Sequence, residues 1–193
     1  MKIAIVKYNA GNTQSVVNAL LRLGVEPQVT AAPDELQAAD RVIFPGVGEA
    51  SSAMRYLREK KLDVVIKNLR QPVLGVCLGM QLLGASSEEN ETECLDILPY
   101  RVRRFKDDLK VPQMGWNNIF NLKSKLFEGV AENSFVYFVH SYFMETGAET
   151  VAAANYGLDF SAAVNKDNFY AVQFHTEKSG EVGERILENF LNL

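Results

Sequence analysis

Short unbroken apolar runs and longer amphipathic stretches alternate through the first half of the chain. Residues 2–7 hold Ile3-Ala4-Ile5-Val6 between lysines and are expected as a buried strand. Residues 13–23 place Val16, Val17, Leu20 and Leu21 at helical spacing, and Gly24 stops that helix. A weaker strand follows at 27–30. Residues 41–44 form an apolar strand that runs into Pro45-Gly46-Val47-Gly48. Helical spacing returns over 50–60, and the pattern allows continuation to 69 after a break. Residues 72–76 are again an apolar run, and 78–84 read as a helix that starts at once behind it. Strands alternating with helices in this way imply βαβ units and a parallel sheet.

The second half has a different rhythm. Residues 100–105, 116–120, 134–139, 150–155, 161–164 and 169–174 are short strand-like runs separated by charged or glycine-containing turns. They predict antiparallel additions and an extension of the main sheet. A last helix over 180–193 puts Val182, Ile186, Leu187 and Phe190 on one face. The expected fold is α/β, a three-layer arrangement with an open, mostly parallel sheet flanked by helices. No linker or repeat divides residues 1–193, which are expected as one domain.

Composition narrows the function classes. The 193 residues suffice for a substantial core, and the apolar share of 47% is ordinary for a globular protein. A net charge of −4 leaves no basic footprint for nucleic acid. No run approaches the roughly 20 apolar residues of a membrane span, and the N-terminal apolar run is too short for a signal peptide. The two cysteines, Cys77 and Cys94, make neither a disulfide framework nor a zinc cluster. A reducing, cytoplasmic setting is expected.

Candidate chemistry begins at Gly75-Val76-Cys77-Leu78-Gly79-Met80-Gln81. Strand, sharp turn and helix with a nucleophile at the turn is an elbow, as in many hydrolases. Glycines at 75 and 79 let the turn be tight and the helix lie close to the sheet. Cys77 then starts a helix, where free N–H groups and the dipole favour an anion. A nucleophilic cysteine needs a base, and the chain offers only His140 and His175. His175 ends an apolar strand, and Glu177, two residues on, points to the same side of an extended chain. Taken locally, His175 reads equally well as a hydrogen-bonded strand-end residue; the elbow tips the reading toward a Cys77–His175–Glu177 triad. Acyl transfer also needs N–H donors for an oxyanion. Leu78, next to the nucleophile, can supply one, and Val47 or Gly48 in the glycine-rich turn the second. That turn on its own is an ordinary strand-to-helix connection, and Ser51 stands where a dinucleotide fingerprint would need its third glycine.

With Gln173-Phe174-His175-Thr176-Glu177-Lys178-Ser179 added, the elbow resembles that of the class I glutamine amidotransferases. The branch it most resembles is the glutaminase subunits of imidazole glycerol phosphate synthases. Tyr8-Asn9-Ala10-Gly11-Asn12 with Ser15, the Pro45-to-Gly48 loop, Pro112-Gln113-Met114-Gly115-Trp116-Asn117 and Val139-His140-Ser141-Tyr142 carry that likeness. It runs almost from end to end of the chain. The resemblance implies hydrolysis of glutamine through a thioester on Cys77, with His175 as acid–base and Glu177 orienting it. It places Val47 and Leu78 at the oxyanion, and glutamine near Gly48, Gln81, Ser141 and Tyr142. Asn12, Trp116 and Lys178 would face a cyclase subunit that receives the ammonia for histidine biosynthesis. No metal or organic cofactor is implied.

Two positions depart from the family pattern. Thr176 stands where proline is usual between the histidine and the glutamate, which predicts a looser loop with Glu177 still in place. Asn9-Ala10 occupies a loop tip where glycine is common. Elsewhere plainer readings hold. Cys94 is a bystander, and His140 is structural, setting the Ser141-Tyr142 turn. Trp116 by itself is core or surface filler, and the charged run 101–108 is a solvated strand and turn. A glutaminase of the pyridoxal phosphate synthase kind and a non-catalytic module on the same fold are the alternatives.

Overall fold

A computed structural model describes residues 1–106 and 108–193. In chain order, β1 (Ile3–Val6), α1 (Thr13–Arg22), β2 (Gln28–Thr30), α2 (Pro33–Gln37) and β3 (Arg41–Gly46) lead to α3 (Ala50–Glu59) and α4 (Leu62–Lys67). Next come β4 (Val73–Cys77), α5 (Leu78–Leu82), β5 (Ser86–Ser87), β6 (Thr92–Glu93) and β7 (Arg101–Arg104). The rest are β8 (Gln113–Asn118), β9 (Phe135–His140), β10 (Tyr142–Met144), β11 (Thr150–Asn155), β12 (Asp159–Lys166), β13 (Phe169–Val172) and α6 (Gly180–Leu191).

The main sheet has seven strands in the order β11-β12-β13-β4-β3-β1-β2. From β13 to β2 neighbours run parallel, while β11 and β12 are antiparallel additions. Parallel strands covered on both faces must be apolar throughout, and every residue of β1 and β4 is buried. Their side chains alternate between two cores. Ala4, Val6, Val42, Phe44 and Val73 pack with α2, α3, α4 and α5 on one face. Ile3, Ile5, Ile43, Leu74 and Val76 pack with α1, α6 and β9 on the other. A four-stranded sheet, β10-β7-β5-β6, and the antiparallel ribbon β8-β9 complete the structure.

Several expectations shift in detail. In α1 the inward residues are Val16, Ala19 and Leu20; Leu21 is exposed, because it lies a further 100° round the helix from Leu20. The 50–69 run is two helices, broken where Lys61 turns left-handed (φ 56°). α5 ends at Leu82, short of 84. α2, β5, β6 and β10 are too short to show a period in sequence. β8 starts at Gln113, earlier than the apolar pattern implied. In the charged run, Arg101, Arg103 and Arg104 are exposed and Phe105 is buried; position 107 lies outside the described residues.

Candidate active site

β4 ends at Cys77, whose backbone takes φ 53° and ψ −108° before α5 begins. A positive φ at a side-chain-bearing residue costs of order 1–3 kcal/mol and persists only where the surroundings enforce it. Here Gly79 supplies the enforcement. A Cβ at that position would lie 1.8 Å from the Phe44 carbonyl oxygen, so only glycine lets α5 seat against β3. The register of β4 with β3 sets Gly46 opposite Cys77, which brings the Pro45-to-Gly48 turn beside the thiol.

The Cys77 Sγ lies 3.7 Å from Gln173 Nε2, which donates to it, and 3.8 Å from the Val139 carbonyl. Gln173 is fully buried. Its Oε1 accepts from Gln81 Nε2 at 3.1 Å, and the same Gln81 nitrogen donates to the Tyr142 carbonyl at 2.9 Å. A buried chain of amides therefore runs from the 141–142 turn to the thiol. Gln81 spends its NH2 group inside the protein.

β13 leads to the candidate base, His175. His175 is fully buried, and its Nδ1 donates to Glu177 Oε1 at 2.7 Å. Its Nε2 is buried without a hydrogen-bond partner. Burial opposes a charge on this imidazole, but its interactions with Cys77 and Glu177 outweigh it and raise the pKa to about 10. For Glu177, burial works upward, yet His175 and Asn12 bonds to the carboxylate bring the net shift down. Thr176 leaves the pair intact, as its position between them required. His175 keeps the extended backbone (φ −91°, ψ 102°) that a following proline would impose.

One cavity of about 300 Å³ opens at the thiol, lined among others by Val47, Gly48, Leu78, Gln81, Ser141 and Tyr142. Gly48 adopts φ 132°, open only to glycine. The Val47 carbonyl accepts from Gly11 N–H at 3.2 Å, which ties this turn to the Tyr8-to-Asn12 loop. Tyr8 is buried beneath it and donates its hydroxyl to the Pro45 carbonyl at 2.8 Å. Burial, with Cys77 nearby, pushes the phenol's pKa up, so it stays a donor.

His140 behaves as a structural residue. It lies in the wall of the cavity, with Nδ1 2.7 Å from the Tyr142 carbonyl and Nε2 2.9 Å from the Gln113 side chain. Burial lowers its pKa to about 4, so the ring is neutral and holds the 141–142 turn. Cys94 is buried away from the cavity, and burial pushes its thiol up to about 12.

Trp116 and Lys178 lie on the outer surface. Trp116 is 56% exposed and meets the Tyr137 ring edge-on, and the Lys178 ammonium sits 5.8 Å from that ring's centre. Asn12 is half-buried and turned inward, against Glu177 and His175.

Sequence reasoning missed Glu89 and Gln173. Glu89 lines the cavity and caps α3, accepting from Ala50 N–H at 2.7 Å. Burial raises its pKa. It sits in an acidic stretch whose spacing signals nothing. Gln173 occupies an inward position of a strand pattern, where a buried amide is the one available clue.

The family model for glutamine amidotransferase class-I matches residues 4–193. Imidazole glycerol phosphate synthase subunit HisH of Bacteroides thetaiotaomicron is 58% identical, with both chains covered in full. The Escherichia coli K12 protein of the same name is 46% identical over the same extent. Among solved structures, a glutamine amidotransferase from Thermotoga maritima superposes with TM-score 0.67 at 17% identity, covering 100% of this chain and 83% of that one. PurLQS from the same organism gives 0.73 at 16% identity, covering 99% and 97%. These two likenesses establish the α/β fold. No helix among the described residues is long and apolar enough to cross a membrane. The chain belongs to the class I glutamine amidotransferases, in the branch of the HisH subunits of imidazole glycerol phosphate synthase.

Proposed function

We propose that residues 1–193 act as one glutaminase domain that hydrolyses glutamine and hands ammonia to a cyclase subunit, together forming an imidazole glycerol phosphate synthase of histidine biosynthesis. The observation that carries this reading is the strained elbow at Cys77, opening on a cavity and backed by the buried His175–Glu177 pair.

The Cys77 thiolate attacks the side-chain amide carbon of glutamine. The carbonyl oxygen takes up the charge and is held by backbone N–H groups at Leu78 and Val47. His175, protonated at neutral pH, gives its proton to the departing nitrogen, and ammonia leaves. Water then attacks the thioester as His175 accepts its proton, releasing glutamate and restoring the thiolate and imidazolium. Glu177 fixes the ring throughout. No step calls on a metal or organic cofactor. Gly48, the free Gln81 oxygen and the Ser141-Tyr142 backbone hold the substrate. Glu89 gives the cavity a carboxylate suited to the α-ammonium.

Trp116 and Lys178, with exposed Met114, form the surface that meets the cyclase. A working thiol fits a reducing cytoplasm. The test is reconstitution with the cyclase. Mixing in this chain should make imidazole glycerol phosphate formation glutamine-dependent. Cys77→Ser should abolish that while leaving ammonia-dependent synthesis intact. No gain of glutamine dependence would refute the pathway, and unchanged turnover by Cys77→Ser would refute the nucleophile.

A further inference from the structure

We propose that Asn12 is a positioning residue of the triad, holding the Glu177 carboxylate against His175 by donating a hydrogen bond from its side-chain amide. The inference rests on the triad reading above. Asn12 stands at the N-cap of α1, where an asparagine side-chain oxygen ordinarily accepts from the first-turn N–H groups. Here it makes no such cap. Its backbone is left-handed instead (φ 73°, ψ 3°), and the amide is turned away from its own helix. Nδ2 donates to Glu177 Oε1, the same oxygen that accepts from His175 Nδ1, and lies 3.3 Å from that ring nitrogen.

The need for such a donor is visible at Glu177. Its side chain is fully buried, and Oε2 has no hydrogen-bond partner. Without Asn12, the buried carboxylate would keep its own backbone N–H and a single side-chain donor, His175, to fix its rotation. Two donors converging on Oε1 define where the carboxylate lies, and hence where the imidazole points. The other ionisable groups that act on the ring are Cys77, beyond it, and His140, neutral in the cavity wall. Neither can replace a donor at Glu177. A helix cap is given up, and an element of the first loop is bonded directly to the catalytic pair.

The test uses Asn12→Gly and Asn12→Asp in complex with saturating cyclase. Glycine keeps the left-handed backbone and removes the donor. Aspartate is as good an N-cap as asparagine but sets a carboxylate against Glu177. Asn12→Gly should lower kcat for glutamine on the order of 10- to 100-fold with KM little changed. Asn12→Asp should be slower still despite normal folding. In Asn12→Gly the pH range of kcat should narrow, the acid limb rising as Glu177 loses a stabilising donor. Wild-type kcat with only weaker partner binding would overturn the proposal, as would Asn12→Asp outperforming Asn12→Gly. Turnover surviving Cys77→Ser would instead sink the triad reading beneath it.

Discussion

Cys77 and His175, the proposed nucleophile and base, are held by different physics. Cys77 belongs to the parallel half, and its pose is dictated by backbone sterics: a positive φ, a ladder partner at Gly46, and a helix seated where Gly79 has no side chain. His175 belongs to the second half and hangs in a mesh of hydrogen bonds. Its N–H donates to the Tyr137 carbonyl at 2.9 Å, and its carbonyl accepts from Ser179 Oγ at 2.6 Å. Ser179 Oγ in turn accepts from Tyr137 N–H at 3.0 Å. Sterics of the first kind are all-or-none. A mesh of the second kind yields by degrees and responds to pH. Perturbations in the two regions should therefore look different.

The largest effect is expected on the steric side. Gly79→Ala forces a Cβ into the Phe44 carbonyl and should lower stability by more than about 4 kcal/mol, read by chemical denaturation. A wild-type midpoint would show that the elbow does not depend on that contact. On the hydrogen-bonded side, Glu177→Gln should fold normally yet lose roughly 10²- to 10⁴-fold in kcat. The imidazolium would lose its counter-charge, so the alkaline limb of the rate profile, set by His175 near pH 10, should move down. A limb that does not move would deny Glu177 its role.

A smaller effect sharpens the comparison through His140. Its pKa is about 4 in the folded chain against the usual 6.5, so the unfolded chain binds a proton first as pH falls. Its stabilisation is complete above pH 6.5 and is lost between 6.5 and 4, on the order of 3 kcal/mol. His140→Gln should flatten that part of the stability–pH curve; an unchanged slope would contradict the buried neutral ring. The smallest effect is at Thr176, whose hydroxyl is buried without a partner at the start of a 3₁₀ turn. Thr176→Pro removes that hydroxyl and pre-sets φ, and should add about 1 kcal/mol, or 2–4 °C in melting temperature. A lower melting temperature would mean that this loop uses the threonine.

The same contrast explains what the sequence made legible. The elbow could be read because a steric solution leaves residue types behind: apolar strand, Cys77, Gly79. The His175–Glu177 pair could be read because two-residue spacing on an extended chain is a local rule. The mesh around them left no local trace. Asn12 is 165 positions from the carboxylate it bonds, and Gln173 is 96 from the thiol. Family likeness placed Asn12 toward a partner; its bond to Glu177 shows only in the folded geometry. Short pieces such as α2 and β10 escaped for a simpler reason, since a period needs more residues than they have.

Two buried cysteines make the central claim directly testable, because one is an internal control for the other. Cys77 faces the cavity beside His175, whereas Cys94 is walled off with its pKa raised to about 12. The measurement is intact-mass and peptide analysis after exposure to an electrophilic glutamine analogue, in the complex with the cyclase. A single adduct on Cys77, blocked by excess glutamine and formed in step with loss of glutaminase turnover, is the predicted result. Modification of Cys94 in step with that loss, or loss of turnover with Cys77 unmodified, would contradict it.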